Sequence, residues 1–309
     1  MSATFTGGVT ISGGWTLSAA PPSQPTASWV SGATFDRITY ATDTAIASVR
    51  GPMAASKYRL AASGNLNYGY YGAGNPGTVS SVQRITYTND TATASYTGPL
   101  SLGRRHLAAA GNSSYGWFMG GWTGSVVTDT IDRIDYANDT ATASVRGPMA
   151  AARYRTLGAF ATDNYAWYCG GIVFPTVYSN TQRIDFSNDT ATGSFRGALS
   201  TPLMQSAATA NATYGWIGGG TYAYVPQTSL VNRITVANDT ATASVRGPLS
   251  ADTYSNAASG NASYGWFVGG TGLGSGVNRI DYSNDTTTAG VRGPLSAANS
   301  QMASTAGVQ

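Results

Sequence analysis

The chain of 309 residues contains no glutamate, one lysine (Lys57), one histidine (His106) and one cysteine (Cys169). A lone cysteine cannot form a disulfide within the chain, so the packed core must supply the stability. We expect Cys169 to be a small buried apolar residue. One histidine and one cysteine also provide no cluster for zinc or copper. We therefore expect neither a metal nor a cofactor.

Long apolar runs are absent as well, since no window holds 18 apolar residues, and this predicts no membrane-spanning helix. The start, MSATFTGGVTISGGW, has neither a basic region nor an apolar stretch, so we expect no secretory signal. Charged residues make up only 10% of the chain, whereas Gly (39), Tyr (19), Thr, Ser and Val are abundant. This composition predicts an all-β protein with many turns.

A long repeat dominates the remaining sequence: RIDYANDTATASVRGPM at 133–149 returns as RIDFSNDTATGSFRGAL at 183–199 and RITVANDTATASVRGPL at 233–249. Its Arg-Ile pair recurs at intervals of 47, 49, 50, 50 and 46 residues. A period near 50 with four short strands is typical of a propeller blade. In blade 3 we place strand b at 115–121, strand c at 130–137 and strand d at 140–147, and in blade 4 strand a at 153–162. An Asn-Asp-Thr hairpin turn joins c to d.

The two ends of the sequence predict how the ring closes. The C-terminal PLSAANSQMASTAGVQ matches strand a alone, and the N-terminal SATFTGG matches strand b alone. We therefore predict that the terminal strands pair to complete blade 1, which removes the open edge of the ring. The longer closing interval is assigned to a loop insertion at 9–33. Residues 1–309 are predicted to form one six-bladed β-propeller domain.

The order of these elements resembles the kelch repeat. Gly-Gly ends strand b at 7–8, 120–121, 170–171, 219–220 and 269–270, and Gly-Pro follows most d strands. The kelch Trp after the turn is missing in every blade. The near-identical Asn-Asp-Thr-Ala-Thr-Ala segments are similar to those of kelch-like virion proteins of marine tailed phages. This resemblance implies an exposed tail or capsid protein, made in the host cytoplasm and located in the virion.

Variation between the repeats is concentrated on one side of the predicted disc. In an up-and-down blade, the a–b and c–d turns share one face, and the b–c and d–a connections share the other, here called the variable face. Loops that vary on a constant scaffold are where a specific contact is expected. Its b–c loops contain the aromatic residues Trp15, Trp29, Trp122, Phe174, Tyr178, Tyr222 and Tyr224. Such rings suit a sugar or a partner protein, or they pack the loops onto the disc.

The basic residues divide into two groups. Eleven of the 17 are repeat arginines, which we expect to bond the turn aspartates and backbone. The other six open strand a in blades 2 to 4 and, with His106, predict a basic sector at the channel mouth: Lys57, Arg59, Arg104, Arg105, Arg153 and Arg155. Such a sector attracts an anionic ligand, for example an acidic glycan or an Asp-rich peptide. The alternative is a solvated rim whose arginines pair locally.

Support for catalysis is weak, because no pair of carboxylates is placed for glycoside hydrolysis and only Asp129, Asp132 and Asp252 approach the variable face. Six basic residues also make too short a footprint for nucleic acid. We predict a binding or structural propeller, not an enzyme, whose partners are a host surface glycan or other virion proteins and whose oligomeric state is set by the virion. The alternatives are an intracellular kelch-type adaptor for an acidic peptide and an enzyme acting on polysaccharide.

Overall fold

Six antiparallel sheets form the blades of a β-propeller in the computed structural model of the chain. The structure describes residues 3–4, 10–11, 26–156, 158–222 and 226–306. Five sheets have four strands, in the order in which the chain enters them. Blades 2 and 3 comprise β5 (Ala61–Gly64), β6 (Tyr68–Gly72), β7 (Val82–Thr86) and β8 (Ser95–Tyr96), then β9 (Ala108–Gly111), β10 (Tyr115–Met119), β11 (Ile131–Asp135) and β12 (Ser144–Val145).

Blade 4 has an additional hairpin between its second and third strands. It comprises β13 (Ala159–Ala161), β14 (Tyr165–Cys169), β17 (Asn180–Asp185) and β18 (Ser194–Ala198), with the hairpin formed by β15 (Ile172–Val173) and β16 (Thr176–Val177). Blades 5 and 6 comprise β19 (Ala207–Ala210), β20 (Tyr214–Gly218), β21 (Val231–Thr235) and β22 (Ser244–Arg246), then β23 (Ala257–Gly260), β24 (Tyr264–Val268), β25 (Val277–Asp281) and β26 (Gly290–Arg292).

Blade 1 is closed by both ends of the chain, as predicted. It contains β27 (Ala303–Ala306), β3 (Thr26–Thr39) and β4 (Ser48–Lys57). The C-terminal β27 is antiparallel to the first half of β3, with Ala303 opposite Val30 and Ala306 opposite Ala27. The second half of β3 pairs with β4, so this one strand occupies positions b and c of the blade.

The partner of the C-terminal strand differs from the prediction. Residues 27–30 take the place of strand b, so the predicted insertion at 9–33 includes part of the sheet. Gly32, at φ 81°, lies two residues after this stretch, and a residue without Cβ allows a tight passage into strand c. The segment expected to fill strand b contributes β1 (Ala3–Thr4), which pairs with β2 (Thr10–Ile11). Residues 5–9 and 12–25, including Gly7-Gly8, lie outside the described residues.

The connection between strands c and d is longer than the predicted hairpin turn. In blade 3, eight residues separate Asp135 from Ser144, because a 3-10 turn precedes the turn aspartate Asp139. The same turn recurs in every blade, at Tyr40–Thr42, Tyr87–Asn89, Tyr136–Asn138, Phe186–Asn188, Val236–Asn238 and Tyr282–Asn284. These turns are the only helical elements among the described residues, and none is long or apolar enough to cross a membrane.

The blades are joined by the conserved pattern of turn aspartates and arginines, as expected for the repeat arginines. In a typical seam, the carboxylate of Asp239 in blade 5 accepts hydrogen bonds from Arg183 and from the Trp167 indole of blade 4, at 3.0 and 2.9 Å. Arg196 completes the clasp at 3.4 Å. All eleven repeat arginines lie within ion-pair distance of a turn aspartate of the next blade: Arg37, Arg50, Arg84, Arg133, Arg146, Arg183, Arg196, Arg233, Arg246, Arg279 and Arg292.

The core lies between the blades, on the faces of strand b. The side chains of Trp117, Trp167, Trp216 and Trp266 are completely buried there. Cys169 is buried beside Trp167, as predicted, and burial raises the pKa of its thiol far above the usual range. Strand a, in contrast, is rich in alanine, which lets the six inner strands come together around the channel.

Candidate functional site

The channel mouth on the variable face is formed by a closed ring of six residues, one from each d–a connection. The backbone N–H of each residue donates to the carbonyl of its counterpart in the preceding blade, at 2.7 to 3.1 Å. For example, His106 N donates to Arg59 O, and Arg155 N donates to His106 O. The ring residues are Arg59, His106, Arg155, Gln205, Ser255 and Gln301.

All six ring residues have φ between 55° and 58°, although none is glycine. This left-handed conformation is unfavourable for residues with a Cβ, and such strain is often found at functional sites. It ends the d–a connection, and strand a starts two residues later in five blades and four residues later in blade 4, which is why the observed strand a is shorter than predicted. In blade 4 it begins at Ala159 rather than near residue 153.

One half of the ring carries two guanidinium charges, and the other half is neutral. Arg59, His106 and Arg155 come from consecutive blades, and Gln205, Ser255 and Gln301 complete the circle. The neutral half is internally bonded, since Gln205 Nε2 donates to Ser255 Oγ at 2.7 Å. Four residues of the predicted basic sector, Arg59, Arg105, His106 and Arg155, lie at the mouth, and we call them the basic mouth.

Arg59 and Arg105 differ from the repeat arginines in their partners. Arg59 Nε donates to the side-chain carbonyl of Gln301 at 2.9 Å, and Arg105 donates to that of Asn75 at 2.9 Å. Both partners are neutral. Burial, together with repulsion from Arg105 and Arg155, lowers the pKa of Arg59. Positive charge is thus concentrated here and is not neutralised by a carboxylate bonded to Arg59 or Arg105 among the described residues.

His106 lies at the centre of this charge. Its side chain is buried, and the ring of Tyr154 contacts it edge-on, with centroids 6.2 Å apart. Burial, reinforced by the positive charges of Arg59, Arg155 and Arg105, lowers the pKa of the imidazole to about 3. His106 is therefore neutral at physiological pH, because a further positive charge here is unfavourable.

Three of the predicted basic residues do not reach the mouth and have structural partners instead. Lys57 is buried and donates to the carbonyl of Ser81. Arg104 is completely buried and forms an ion pair with Asp132 at 2.8 Å. Arg153 is buried, and its guanidinium stacks 3.5 Å from the ring centroid of Tyr178.

This division follows from the bend at the ring. In an extended segment, side chains two residues apart would share a side, but the left-handed φ of the ring residue interrupts that alternation and turns its side chain towards the mouth. Lys57, Arg104 and Arg153 all lie two residues before a ring position, on the inner side. Asp132, which we expected near the variable face, is buried with Arg104 and is not accessible to a ligand.

Aromatic rings accompany each arginine of the mouth. The guanidinium of Arg59 lies 5.4 Å from the Tyr58 ring, that of Arg105 4.4 Å from Trp122, and that of Arg155 5.8 Å from Tyr154. Tyr58 and Tyr154 were missed by the sequence analysis. The available signal was their position, immediately before a ring residue, which Tyr254 shares in blade 6.

The predicted aromatic residues have different surroundings. Trp122 is half-buried and lies in the mouth, whereas Tyr178 is engaged with Arg153. Phe174 is 68% exposed at the tip of the β15–β16 hairpin. Tyr222 is half-buried and donates to Thr228 Oγ1 at 3.4 Å. Trp15, Tyr224 and the side chain of Trp29 lie outside the described residues.

A second concave feature occupies the opposite end of the channel. This cavity of about 440 Å³ is lined by alanines and by the a–b turns of the uniform face. The hydroxyls of Ser63, Thr209 and Thr305 in its wall already bond tyrosine hydroxyls of the next blade. Its wall offers one carboxylate, Asp163, and no cation, so its chemistry is far less specific than that of the basic mouth.

No group of three or more His, Cys, Asp or Glu side chains is placed to hold a metal ion within the part of the chain that the structure describes. The turn aspartates have arginines around them. One guanidinium group at Asp139 and two at each of the other five aspartates make these positions unfavourable for a cation.

Comparison with known protein families and with curated proteins finds no match for this sequence. Among solved structures, that of YjhT is similar in fold, with a TM-score of 0.68. The match has 11% sequence identity and covers 81% of this chain and 87% of that one. At this identity the likeness shows the fold alone, and the fold is a six-bladed β-propeller.

Proposed function

We propose that this propeller is a non-enzymatic recognition module that binds an anionic ligand at the basic mouth. The proposal depends on one observation. The repeat arginines are all paired with aspartates, whereas Arg59 and Arg105 have neutral partners and surround His106 together with Arg155. Concentrated positive charge with low local solvation attracts anions and strengthens charge-assisted hydrogen bonds to them.

The surroundings of the mouth favour an acidic glycan as the ligand. Tyr58, Trp122 and Tyr154 lie beside the three guanidinium groups, and exposed Phe174 stands on the neighbouring hairpin. Aromatic rings can pack against the apolar faces of sugar rings while arginines bind carboxylate or sulfate groups. The kelch-like and phage-like features of the repeat then support a role on a phage tail or capsid, where the variable face contacts a host surface glycan or another virion protein.

The first experiment measures binding of the purified protein to immobilised polygalacturonate, with neutral dextran as the reference, across a salt series. We expect saturable binding to the acidic polymer that weakens as salt increases. A poly-aspartate surface tests the alternative of an adaptor for acidic peptides. Stronger binding to poly-aspartate than to any acidic polysaccharide would favour the adaptor. Stoichiometric presence of the chain in purified virions is the separate test of the virion role.

A matched pair of variants tests the location of the site. The mouth variant R59Q/R105Y/R155Q carries residues found at equivalent positions in sister blades, namely Gln301, Tyr154 and Gln205. The control R50T/R146T/R196T loses the same number of charges on the outer strands, where blade 2 has Thr97. We expect the mouth variant to lose at least tenfold in affinity and the control to retain it, with folding of both checked by circular dichroism. Equal loss in both would refute a specific basic mouth.

A further inference from the structure

His106 is fixed between two cations by the ring itself. Its N–H donates to the carbonyl of Arg59 at 2.9 Å, and its own carbonyl accepts from Arg155 N at 3.0 Å. Arg105 is its chain neighbour and is held over Trp122. Because the six ring bonds close on themselves, these residues cannot move apart without breaking the ring. The positive charges around the imidazole are therefore positioned before any ligand arrives.

Every charged group that acts on the imidazole has the same sign. The groups that face His106 are Arg59 from the preceding blade, Arg155 from the following blade and Arg105 from its own segment, with the uncharged ring of Tyr154 at its edge. No carboxylate is among them in the described residues. This repulsion and the burial keep the proton off the ring in the free protein, and the pKa is about 3.

Building on the proposed function, we propose that an oxyanion, such as the sulfate or carboxylate group of an acidic sugar, binds beside His106 between Arg59, Arg105 and Arg155, and that its binding draws a proton from solvent onto the imidazole. Guanidinium groups present paired N–H donors that match the geometry of such anions. A bound anion offsets the repulsion that keeps the imidazole neutral, and the protonated ring then becomes a further donor to the anion.

The direction of the pH dependence follows from linkage. Between about pH 3 and the pKa of the complex, the complex holds more proton than the free protein, so affinity for the anion rises as the pH falls through that window. By reciprocity, the anion must raise the pKa of His106 by the same coupling. An oxyanion site without this histidine would show no such dependence between pH 3 and the pKa of the complex.

His106 is the only histidine of the chain, so its imidazole signals can be assigned directly in a protein freed of any affinity tag. The test is an NMR pH titration of these signals with and without sodium sulfate, which stays a dianion over the range used. We expect saturating sulfate to raise the pKa by about one unit or more. The double variant R59Q/R155Q should lose this shift. It removes two of the three cations while the ring keeps residues that blades 1 and 5 already have there.

A pKa of His106 that is the same with and without sulfate would overturn the inference. So would an equal sulfate-induced shift in R59Q/R155Q, since it would mean that the ion acts from elsewhere. Binding to polygalacturonate at pH 7.5 is measured on the same sample. If that binding persists without a pKa shift, the proposed function stands and this inference fails. If neither polygalacturonate nor sulfate binds at any pH, both fail.

Discussion

Six pairs of residues show how the repeats change together across the blade seams. In four seams a serine or threonine of strand a shares a hydrogen bond with the tyrosine hydroxyl that follows strand c in the next blade. Where that aromatic residue is Phe186 and has no hydroxyl, the partner is Ala110. In blade 5 the position after strand c is Val236, which has no ring, and its strand-a partner is Phe160. The Phe160 ring stacks on Trp167 at 4.9 Å and so supplies the missing aromatic group.

This complementarity predicts a compensating double substitution. Phe160→Ser alone should lower the free energy of unfolding by about 3 kcal/mol, because it leaves a cavity over Trp167. Val236→Tyr alone should cost roughly 1–3 kcal/mol by overpacking against Phe160. The double variant reproduces the pair found in the other seams, and we expect it to recover about 2 kcal/mol relative to the sum of the singles. Urea denaturation measures all four proteins, and strictly additive effects would contradict the pairing.

Lys57 makes a second prediction, which depends on pH. Burial lowers the pKa of its amine to about 8 in the folded state, from 10.5 for a solvent-exposed lysine. Between these two values the unfolded chain holds more proton, so this residue's contribution to stability rises with pH over that window. Below pH 8 its full destabilising effect is present. Lys57→Leu, the residue of blade 5 at Leu203, removes this dependence.

We expect the stability of Lys57→Leu relative to the parent protein to fall by about 2 kcal/mol between pH 7 and pH 10. The difference between the two proteins is the useful quantity, because the buried tyrosines affect both equally. Arg153→Leu is the matched control, since an arginine does not release its proton in this range. A difference that stays constant with pH would show that Lys57 is not held in the unfavourable environment that its burial implies.

Among the structural elements, the end of strand d requires glycine for the seam to close. Gly247 N donates to the carbonyl of Asp285 in the next blade at 2.9 Å. A Cβ on Gly247 would lie 2.0 Å from the backbone oxygen of Thr287. Gly193 directly precedes β18. A Cβ on Gly193 would have no backbone atom closer than 3.3 Å, and other blades carry alanine at this position, for example Ala143.

The two glycines therefore predict opposite outcomes for one substitution. Gly247→Ala should destabilise the protein by about 3 kcal/mol or more, because backbone of two blades must separate. Gly193→Ala should stabilise it by roughly 0.5–1 kcal/mol by restricting the unfolded chain. Thermal denaturation of the two variants compares them directly. Equal effects would mean that the seams are more adaptable than the close contact at Gly247 indicates.

Elements that repeat could be predicted from the sequence, and the elements that form the mouth could not. The spacing of Arg-Ile and the turn aspartates predicted the blades and their Arg–Asp contacts, because the same physical contact is made at each seam. The ring positions vary in type and include no glycine, so nothing in the sequence marks their left-handed backbone. Without that bend, Lys57, Arg104 and Arg153 were expected beside Arg59 at the mouth. A comparison between repeats could have found the Arg104–Asp132 pair, since blades 2, 4, 5 and 6 have an amide where blade 3 has Asp132.

At the scale of the whole molecule, the C-terminal strand connects three parts of the closure. Gln301 contributes to the ring of the mouth and Met302 to the core between blades 6 and 1. Thr305 accepts a hydrogen bond from Tyr87 of blade 2 at 2.7 Å. The seam from blade 6 to blade 1 is made separately, by Trp266, Arg279 and Arg292 around Asp43. Loss of the last strand therefore opens the mouth and the core together while this clasp remains.

A chain that ends at Asn299 should test this dependence. Without β27, the first half of β3 loses its partner and the ring loses one of its six members, so the remaining strands form an open array. We expect the melting temperature to fall by about 10 °C or more, since several kcal/mol of packing and hydrogen bonding are lost. A chain that ends at Ala306 keeps β27 and is the control. A synthetic peptide covering 300–309, added to the shorter chain, should restore both the melting temperature and binding to polygalacturonate. Restored stability without restored binding would separate closure of the ring from formation of the basic mouth. An unchanged melting temperature in the shorter chain would show that the contacts of Trp266, Arg279 and Arg292 with Asp43 alone hold the propeller closed.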